Sequence, residues 1–133
     1  MYYINLLTNK SAVQFKHNPI QIINEISKIL NSFAILPNLA GYQFLHYGIW
    51  LCFIKENEYI NNISEKLYPD IAEKFFTSSE RVEIAINNAL NRYSKNAPQE
   101  IYKKFSLPNN PDPSAFIAKA ANKLIADNKN YFQ

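Results

Sequence analysis

The sequence predicts an all-α fold, and three observations support that prediction. Along the longest segments, apolar residues recur every three or four positions, which is the spacing of one face of a helix. Several of these segments begin with Pro or with a helix-capping Ser, Thr, Asn or Asp. Of the 133 residues, 47% are hydrophobic and 14% are aromatic, which is enough for a single packed core.

The N-terminal segment is the one place where the pattern favours strands. Residues 2–7 and 12–16 are rich in apolar side chains and flank a turn-like sequence at 8–11. This arrangement favours a small β-hairpin. Because an isolated hairpin is only marginally stable, it would have to pack on the helices or on another chain.

The next two elements are predicted helices. Asn18 is suited to cap a helix that starts at Pro19 and ends near Asn31. After a linker broken by Pro37, a second helix is predicted over 40–54. Since this helix is apolar nearly all round, we expect it to be the central buried helix. Its Trp and Tyr side chains allow a ligand pocket as the alternative, but core packing is favoured.

A third helix is predicted over about 58–67, followed by two helices joined by a very short turn. The first of these two covers 69–76 and has Pro at its first position, where a missing N–H costs nothing. Thr77 and Ser78 are both good N-cap residues for the second helix. With Thr77 as the cap, Glu80 completes a capping box.

The second helix of this pair covers 78–94 and carries one continuous apolar face. Six apolar residues lie there at helical spacing: Val82, Ala85, Ile86, Ala89, Leu90 and Tyr93. A short helix, a tight turn and a longer capped helix form the pattern of a helix-turn-helix. From spacing alone, an ordinary helical hairpin in an all-α core is the favoured alternative.

Two further helices complete the chain. Pro98 starts a short helix, and a stiff, proline-rich loop follows over 106–113. Asp112 or Ser114 then caps the last helix, which has an apolar stripe over 116–125. The predicted organisation has three parts, which are an extension over 1–18, a helical domain over 19–128 and a tail over 129–133.

Composition argues against several classes of function. Gly41 and Gly48 are the only glycines, and no phosphate-cradling or dinucleotide motif is present. The single cysteine, Cys52, excludes an internal disulfide, and with two histidines it gives no metal-ligand spacing. No nucleophile–base pair or paired-carboxylate motif indicates an enzyme. We therefore expect no catalytic activity, no metal, no cofactor and no small-molecule substrate.

Location and charge narrow the choice of partner. The sequence shows no signal segment and no apolar run long enough to span a bilayer, so we expect a cytoplasmic protein without a membrane partner. The net charge of +3 and the pI near 8.9 permit nucleic-acid binding without requiring it.

Four segments resemble one known family, in the same order along the chain. They are Ala40–Leu45, Ile63–Phe75, Ser79–Ile86 and Ser114–Leu124. Together they resemble the DNA-binding effector domain of the sporulation initiation response regulator, the stage-zero master regulator of endospore formers. The resemblance covers roughly 19–128, and its Leu-Tyr-Pro-Asp-Ile-Ala sequence at 67–72 is quite specific.

The resemblance implies a fold and a partner. It implies about six helices with a helix-turn-helix, in which 69–76 is the first helix and 78–94 is the recognition helix. It implies a sequence-specific transcriptional regulator that binds double-stranded DNA, and it allows a homodimer on DNA. In the family this domain follows a phosphorylatable receiver domain. We expect no receiver domain here, and therefore no phosphorylation-driven dimerisation within this chain.

Helical geometry and the family pattern together select the residues expected to contact DNA. With Val82 facing inward, a turn of about 100° per residue directs Ile84, Asn87 and Asn91 outward. Four residues are predicted to contact bases: Arg81, Glu83, Ile84 and Asn87. Six residues are predicted to contact phosphates: Lys74, Ser78, Ser79, Asn88, Arg92 and Lys95. For each lysine, a solvated surface charge is the alternative.

Two of the base-contact positions depart from the family pattern. Arg81 and Glu83 match it, whereas Ile84 and Asn87 stand where the family has arginines. An Arg–guanine pair contributes about 1–3 kcal/mol of discrimination, while Ile can touch a thymine methyl and Asn can pair with adenine. We therefore expect a more A·T-rich site than the family's. The alternative is a helical protein-interaction module that kept the fold but lost specific DNA reading, with Ile84 in a protein-binding patch.

Overall fold

The described part of the chain is built from helices and turns. The computed structural model describes residues 19–93 and 97–131. Across these ranges lie seven α-helices: α1 Ile20–Ser32, α2 Ala40–Ile54, α3 Glu56–Tyr59, α4 Tyr68–Lys74, α5 Ser79–Asn88, α6 Gln99–Lys104 and α7 Pro113–Asp127. Two short π-helical segments lie beside them, at Ile63–Leu67 and Ala89–Tyr93. The all-α prediction is confirmed for these ranges, while the predicted hairpin over 2–16 and the predicted cap at Asn18 lie outside them.

Helix α2 is the centre of the fold, as its composition predicts. It has the predicted bounds and packs against α1, α5 and α7. Leu45, Ile49 and Trp50 on this helix are completely buried, and the Trp50 ring stacks on that of Phe53 with centroids 6.3 Å apart. Its aromatic side chains therefore pack in the core.

Phe33 joins the first helix to the last two. Its buried ring lies 5.3 Å from the rings of Tyr102 and Phe105 and 4.9 Å from that of Phe116, centroid to centroid. Edge-to-face aromatic pairs at these distances stabilise a core beyond the area that they bury. The cluster fixes α1, α6 and α7 relative to one another.

His46 is the one buried polar side chain among the described residues with no exposed surface. Its Nε2 lies 3.0 Å from the Ile23 carbonyl oxygen and 3.0 Å from Ser27 Oγ. A carbonyl can only accept, so Nε2 carries the proton and donates to Ile23. Burial lowers the pKa of His46 to about 3, so the ring is neutral at physiological pH.

The predicted third helix over 58–67 differs from the structure. Helix α3 ends at Tyr59, and the π-helical segment Ile63–Leu67 then runs directly into α4. In that segment the Leu67 N–H donates to the Asn62 carbonyl, 3.1 Å away, five residues back. Pro69, in the second position of α4, has no N–H to donate, and the change of hydrogen-bond register before it lets the chain continue as one helical stretch.

The remaining helix starts lie close to the predicted ones. Helix α1 begins one residue after Pro19, and the Pro19 carbonyl accepts its first hydrogen bond. Helix α6 likewise begins one residue after Pro98. For α7 the cap is Asp112, whose carboxylate accepts from the Ser114 N–H at 3.2 Å, which decides between the two predicted candidates. Across the described ranges, no helix combines the length and apolarity needed to cross a bilayer.

Candidate nucleic-acid interface

Helix α4 ends in a turn that is closed by its own backbone. Phe76 adopts a left-handed conformation with φ of 56°. Its N–H donates to the Glu73 carbonyl at 3.4 Å, and the Thr77 N–H donates to the Ala72 carbonyl at 2.9 Å. This pair of bonds is the Schellman motif, which satisfies the last carbonyls of a helix. Four residues, 75–78, therefore suffice to connect α4 to α5.

Ser78 caps α5, which decides between the two predicted candidates, and the capping box expected with Thr77 as the cap does not form. Ser78 is extended, and its Oγ accepts from the Arg81 N–H at 3.2 Å. The Thr77 N–H already closes the end of α4, so the chain turns into the next helix one residue later. With Ser78 as the cap, Arg81 is the third helical residue, and Glu80 does not occupy the position that a capping box requires.

The two sides of α5 have different environments, as the spacing predicts. Val82 and Ile86 are completely buried, and α5 packs against α2 and α4. The four predicted base-contact residues are all exposed: Arg81, Glu83, Ile84 and Asn87. Ile84 keeps 60% of its surface in solvent, which is unusual for a large aliphatic side chain. The predicted inward and outward faces of this helix are therefore confirmed.

Gly41 determines how closely α5 approaches the central helix. A Cβ at position 41 would fall inside the van der Waals surface of the Ala85 carbonyl oxygen and 2.7 Å from the Ala89 Cβ. Only glycine allows the two helix backbones to touch in this way. The position of the exposed side of α5 thus depends on a contact in the core.

Aromatic contacts and one hydrogen bond hold α4 in place. Phe75, at its end, lies against Phe44 and Tyr47 of α2, with centroids 5.3 Å and 5.8 Å apart. Near its start, Asp70 accepts a 2.5 Å hydrogen bond from the Tyr59 hydroxyl. Burial, together with this bond, raises the pKa of Tyr59, so the hydroxyl keeps its proton and remains a donor. These contacts fix α4 relative to α2 and α3 without using the exposed side of α5.

The two asparagines on the outward line of α5 are hydrogen-bonded to each other. Asn91 Nδ2 donates to Asn87 Oδ1 at 2.6 Å, one helical turn away, and both side chains are exposed. The bond holds the Asn87 amide in a defined orientation. A carbonyl oxygen has two lone pairs, so Asn87 Oδ1 can accept a second hydrogen bond while its own Nδ2 still donates.

The predicted phosphate-contact residues lie in several settings. Lys74 is half-buried, with its Nζ 5.8 Å from the centroid of the Tyr47 ring. Ser78 and Asn88 are exposed, and Ser79 is half-buried. The side chain of Arg92 and the whole of Lys95 lie outside the described part of the structure.

Charge in this part of the chain is not strongly positive. The segment 68–93 has three basic residues against four acidic ones, which gives a net charge of −1: Lys74, Arg81 and Arg92 against Asp70, Glu73, Glu80 and Glu83. The net charge of +3 for the whole chain therefore comes from elsewhere. Long-range attraction of phosphates by this segment is weak.

Phe76 is the exposed residue that sequence reasoning missed. The sequence placed it at the end of a helix over 69–76, whereas the structure leaves 97% of its surface in solvent, in the turn before α5. The residues that usually signal a left-handed helix end are Gly and Asn, and neither occurs here. Hydrophobicity also favours burial, so the sequence contained no signal for this position.

One comparison with known proteins identifies a family whose model matches this sequence. The family model described as the C terminal of sporulation initiation factor Spo0A matches residues 26–124. The match covers about three quarters of the chain and includes α2, α4 and α5 completely. It lies within the 19–128 range over which the sequence resembles this family.

Proposed function

This chain belongs to the family of the Spo0A C-terminal domain, a DNA-binding domain of a sporulation response regulator, and we propose that it is a sequence-specific transcriptional regulator that binds double-stranded DNA. We assign α4 and α5 to a helix-turn-helix, with α5 as the recognition helix in the major groove. The DNA-binding domain covers 19–128, with an extension over 1–18 and a tail over 129–133. We expect it to act in the cytoplasm and without catalysis.

One observation carries this proposal. Helix α5 is held from one side by completely buried Val82 and Ile86, while its opposite side is exposed from its first turn onward. A recognition helix needs such a division, because its N-terminal half must enter the groove while the protein holds its back. Arg81, in the first turn, would enter the groove deepest.

Each base-contact residue has a chemical partner on the edges of base pairs. Arg81 can pair with the O6 and N7 atoms of guanine, and Glu83 can accept from the N4 amino group of cytosine. Ile84 can pack on the methyl group of thymine. Asn87 can donate to N7 of adenine and accept from its N6, since its hydrogen bond with Asn91 leaves both options open. The expected site therefore combines G·C pairs with neighbouring A·T pairs.

The phosphates are contacted by a small set of groups in this proposal. Lys74, Ser78, Ser79, Asn88, Arg92 and Lys95 supply the side chains, together with the free N–H groups at the start of α5. Affinity falls with salt in proportion to the number of phosphates neutralised, with a slope of about −0.9 per phosphate. Because only three of these side chains are cationic, namely Lys74, Arg92 and Lys95, we expect a shallow salt dependence for a DNA-binding protein.

A second candidate function has its own support. The net negative charge of 68–93 and the exposed apolar side chains of Phe76 and Ile84 also suit a protein-binding surface. In that case the chain is a helical interaction module that kept the fold and lost specific DNA reading. The two candidates differ in one measurable property, because only the first binds duplex DNA with a sequence preference.

Selection of bound sequences from a random duplex pool tests the proposal directly. We expect enrichment of one short motif with A·T pairs beside a guanine. Binding as a homodimer is part of the proposal, and the symmetry of the motif tests it, since a two-fold dimer selects a palindrome. A pool without enrichment at low salt would contradict DNA reading and favour the interaction module.

A further inference from the structure

Phe76 combines two unfavourable properties. Its φ of 56° lies in the left-handed region, which crowds the Cβ of every residue except glycine and is worst for bulky side chains. Its ring is 97% exposed, so apolar surface stays in water. Residues kept in a strained conformation without a packing reason are candidates for function.

The turn itself does not require a phenylalanine. Ala34, after α1, has φ of 61°, and Ser106, after α6, has φ of 56°. At each of these helix ends, the residue after the left-handed one donates its N–H to a carbonyl five residues back, as Thr77 does to Ala72. The Ile35 N–H donates to the Leu30 carbonyl at 3.2 Å, and the Leu107 N–H donates to the Tyr102 carbonyl at 2.8 Å. These two equivalent positions carry small side chains, which cause less steric strain in this backbone conformation.

The fold does not use the Phe76 ring. At all three helix ends the residue before the left-handed one is also a phenylalanine, and it does pack: Phe33, Phe75 and Phe105. The end of α4 is thus anchored by Phe75. The ring of Phe76 contacts no other ring in the described part of the chain. The Phe76 side chain is therefore available to a partner.

Its place in the chain indicates which partner. Phe76 lies two residues before Ser78, the cap of the helix that we assign to the major groove. When the first turn of a helix enters the groove, the residues just before it lie beside the sugar-phosphate backbone. Deoxyribose offers apolar C–H surface there, and a contact with it compensates for the weak attraction of phosphates by the 68–93 segment.

We infer that Phe76 is a DNA-contact residue whose ring packs on deoxyribose at the edge of the major groove, next to the phosphate contacted by Ser78. This inference rests on the proposed function. Because a sugar contact carries no sequence information, Phe76 supplies affinity for all duplexes, whereas Ile84 supplies preference among them. The side chain is thus kept for binding at a cost to the stability of the turn.

Phe76→Asn tests the inference, with Ser106→Asn as the matched control. Asparagine tolerates the left-handed conformation well, so both variants of the full chain should melt at a higher temperature than the wild type. Phe76→Asn should bind the selected duplex about tenfold more weakly, which is the effect of losing roughly 50 Å² of buried apolar surface. Its affinity for an unrelated duplex should fall by the same factor. Ser106→Asn and Phe76→Tyr should bind as the wild type does.

Three outcomes would overturn the inference. If Phe76→Asn binds the selected duplex as tightly as the wild type, the ring contacts something other than DNA. If Phe76→Asn melts at a lower temperature than the wild type, the ring has a role in the fold. If the wild-type chain itself fails to bind any selected duplex, the proposed function fails and the inference fails with it.

Discussion

Gly41 and Ala85 bring the backbones of the central helix and the exposed helix into contact. A Cβ at Gly41 would overlap the Ala85 carbonyl oxygen, which is main chain and cannot rotate away. The contact lies where α5 packs against α2, one residue after the exposed Ile84. A change of one methyl group in the core therefore moves the surface that we assign to DNA.

Gly41→Ala should destabilise the protein and weaken DNA binding together. Because the new methyl group meets backbone, α5 must shift away from α2, and we expect a loss of about 1–3 kcal/mol in the free energy of unfolding. Urea denaturation of both proteins measures it. Gly48→Ala is the control, since its Cβ would meet the mobile end of the Ile71 side chain at 3.0 Å. Equal stability of Gly41→Ala and wild type would contradict the close contact.

Ser78→Ala should cost about 1 kcal/mol of stability, because it removes the side-chain cap of α5. Thr77→Ala is a matched substitution one residue earlier, where the structure assigns no capping bond. Thermal melts of the two variants rank the two positions. A larger loss at Thr77 than at Ser78 would contradict the assignment of Ser78 as the cap.

Arg81→Ala should weaken binding to the selected duplex by roughly 5- to 150-fold while leaving stability unchanged, because Arg81 is exposed and is the arginine of the first turn. A lost bidentate guanine contact is worth about 1–3 kcal/mol of discrimination. Fluorescence anisotropy with a labelled duplex measures the affinity. Lys119→Ala, which removes an exposed charge from α7, should have little effect. Unchanged affinity of Arg81→Ala would count against α5 as the recognition helix.

Ile84 should respond to the loss of a single methyl group from the DNA. Replacing the contacted thymine by uracil removes only that methyl, and we expect about fourfold weaker binding by the wild type. Ile84→Ala should bind the thymine and uracil duplexes alike, since the group that packed on the methyl is gone. If uracil weakens both proteins equally, another side chain contacts that thymine.

His46 should make stability depend on pH between about 6.5 and 3. Burial lowers the pKa of His46 to about 3 from an ordinary value of 6.5, so below pH 6.5 only the unfolded chain takes up this proton. The stabilisation is therefore complete above pH 6.5 and is lost as pH falls, with a slope approaching about 1.4 kcal/mol per pH unit. Urea denaturation at several pH values measures this slope, and His46→Gln should flatten it. The comparison is made above about pH 4.5, because most carboxylates titrate below that value. An equal slope in the variant over that range would assign the dependence to other groups.

The parts of the fold that follow from hydrophobic pattern were predictable from the sequence. Helix α2 was placed with its correct bounds because almost every one of its side chains is apolar. The buried and exposed sides of α5 were assigned correctly because Val82 and Ile86 lie at helical spacing. In both cases burial of apolar surface dominates, and the sequence records it directly.

The turns and register changes were not predictable in the same way. The start of α5 depends on Thr77 closing the end of α4, a backbone bond that leaves no trace in residue type. Phe76 adopts a left-handed conformation that phenylalanine rarely adopts. The sequence predicts two separate helices around Pro69, whereas in the structure a π-helical segment runs directly into α4. These features depend on how neighbouring helices pack against each other, and the conformational preferences of single residues do not predict that packing.

The separation of the two sides of α5 has a consequence for how such a protein changes over time. No side chain among Arg81, Glu83, Ile84 and Asn87 also serves the core, so substitutions there leave folding almost untouched. Target preference can then drift one position at a time, without a compensating change behind the helix. A duplicated copy of the gene can acquire new binding sites while every intermediate remains a folded protein.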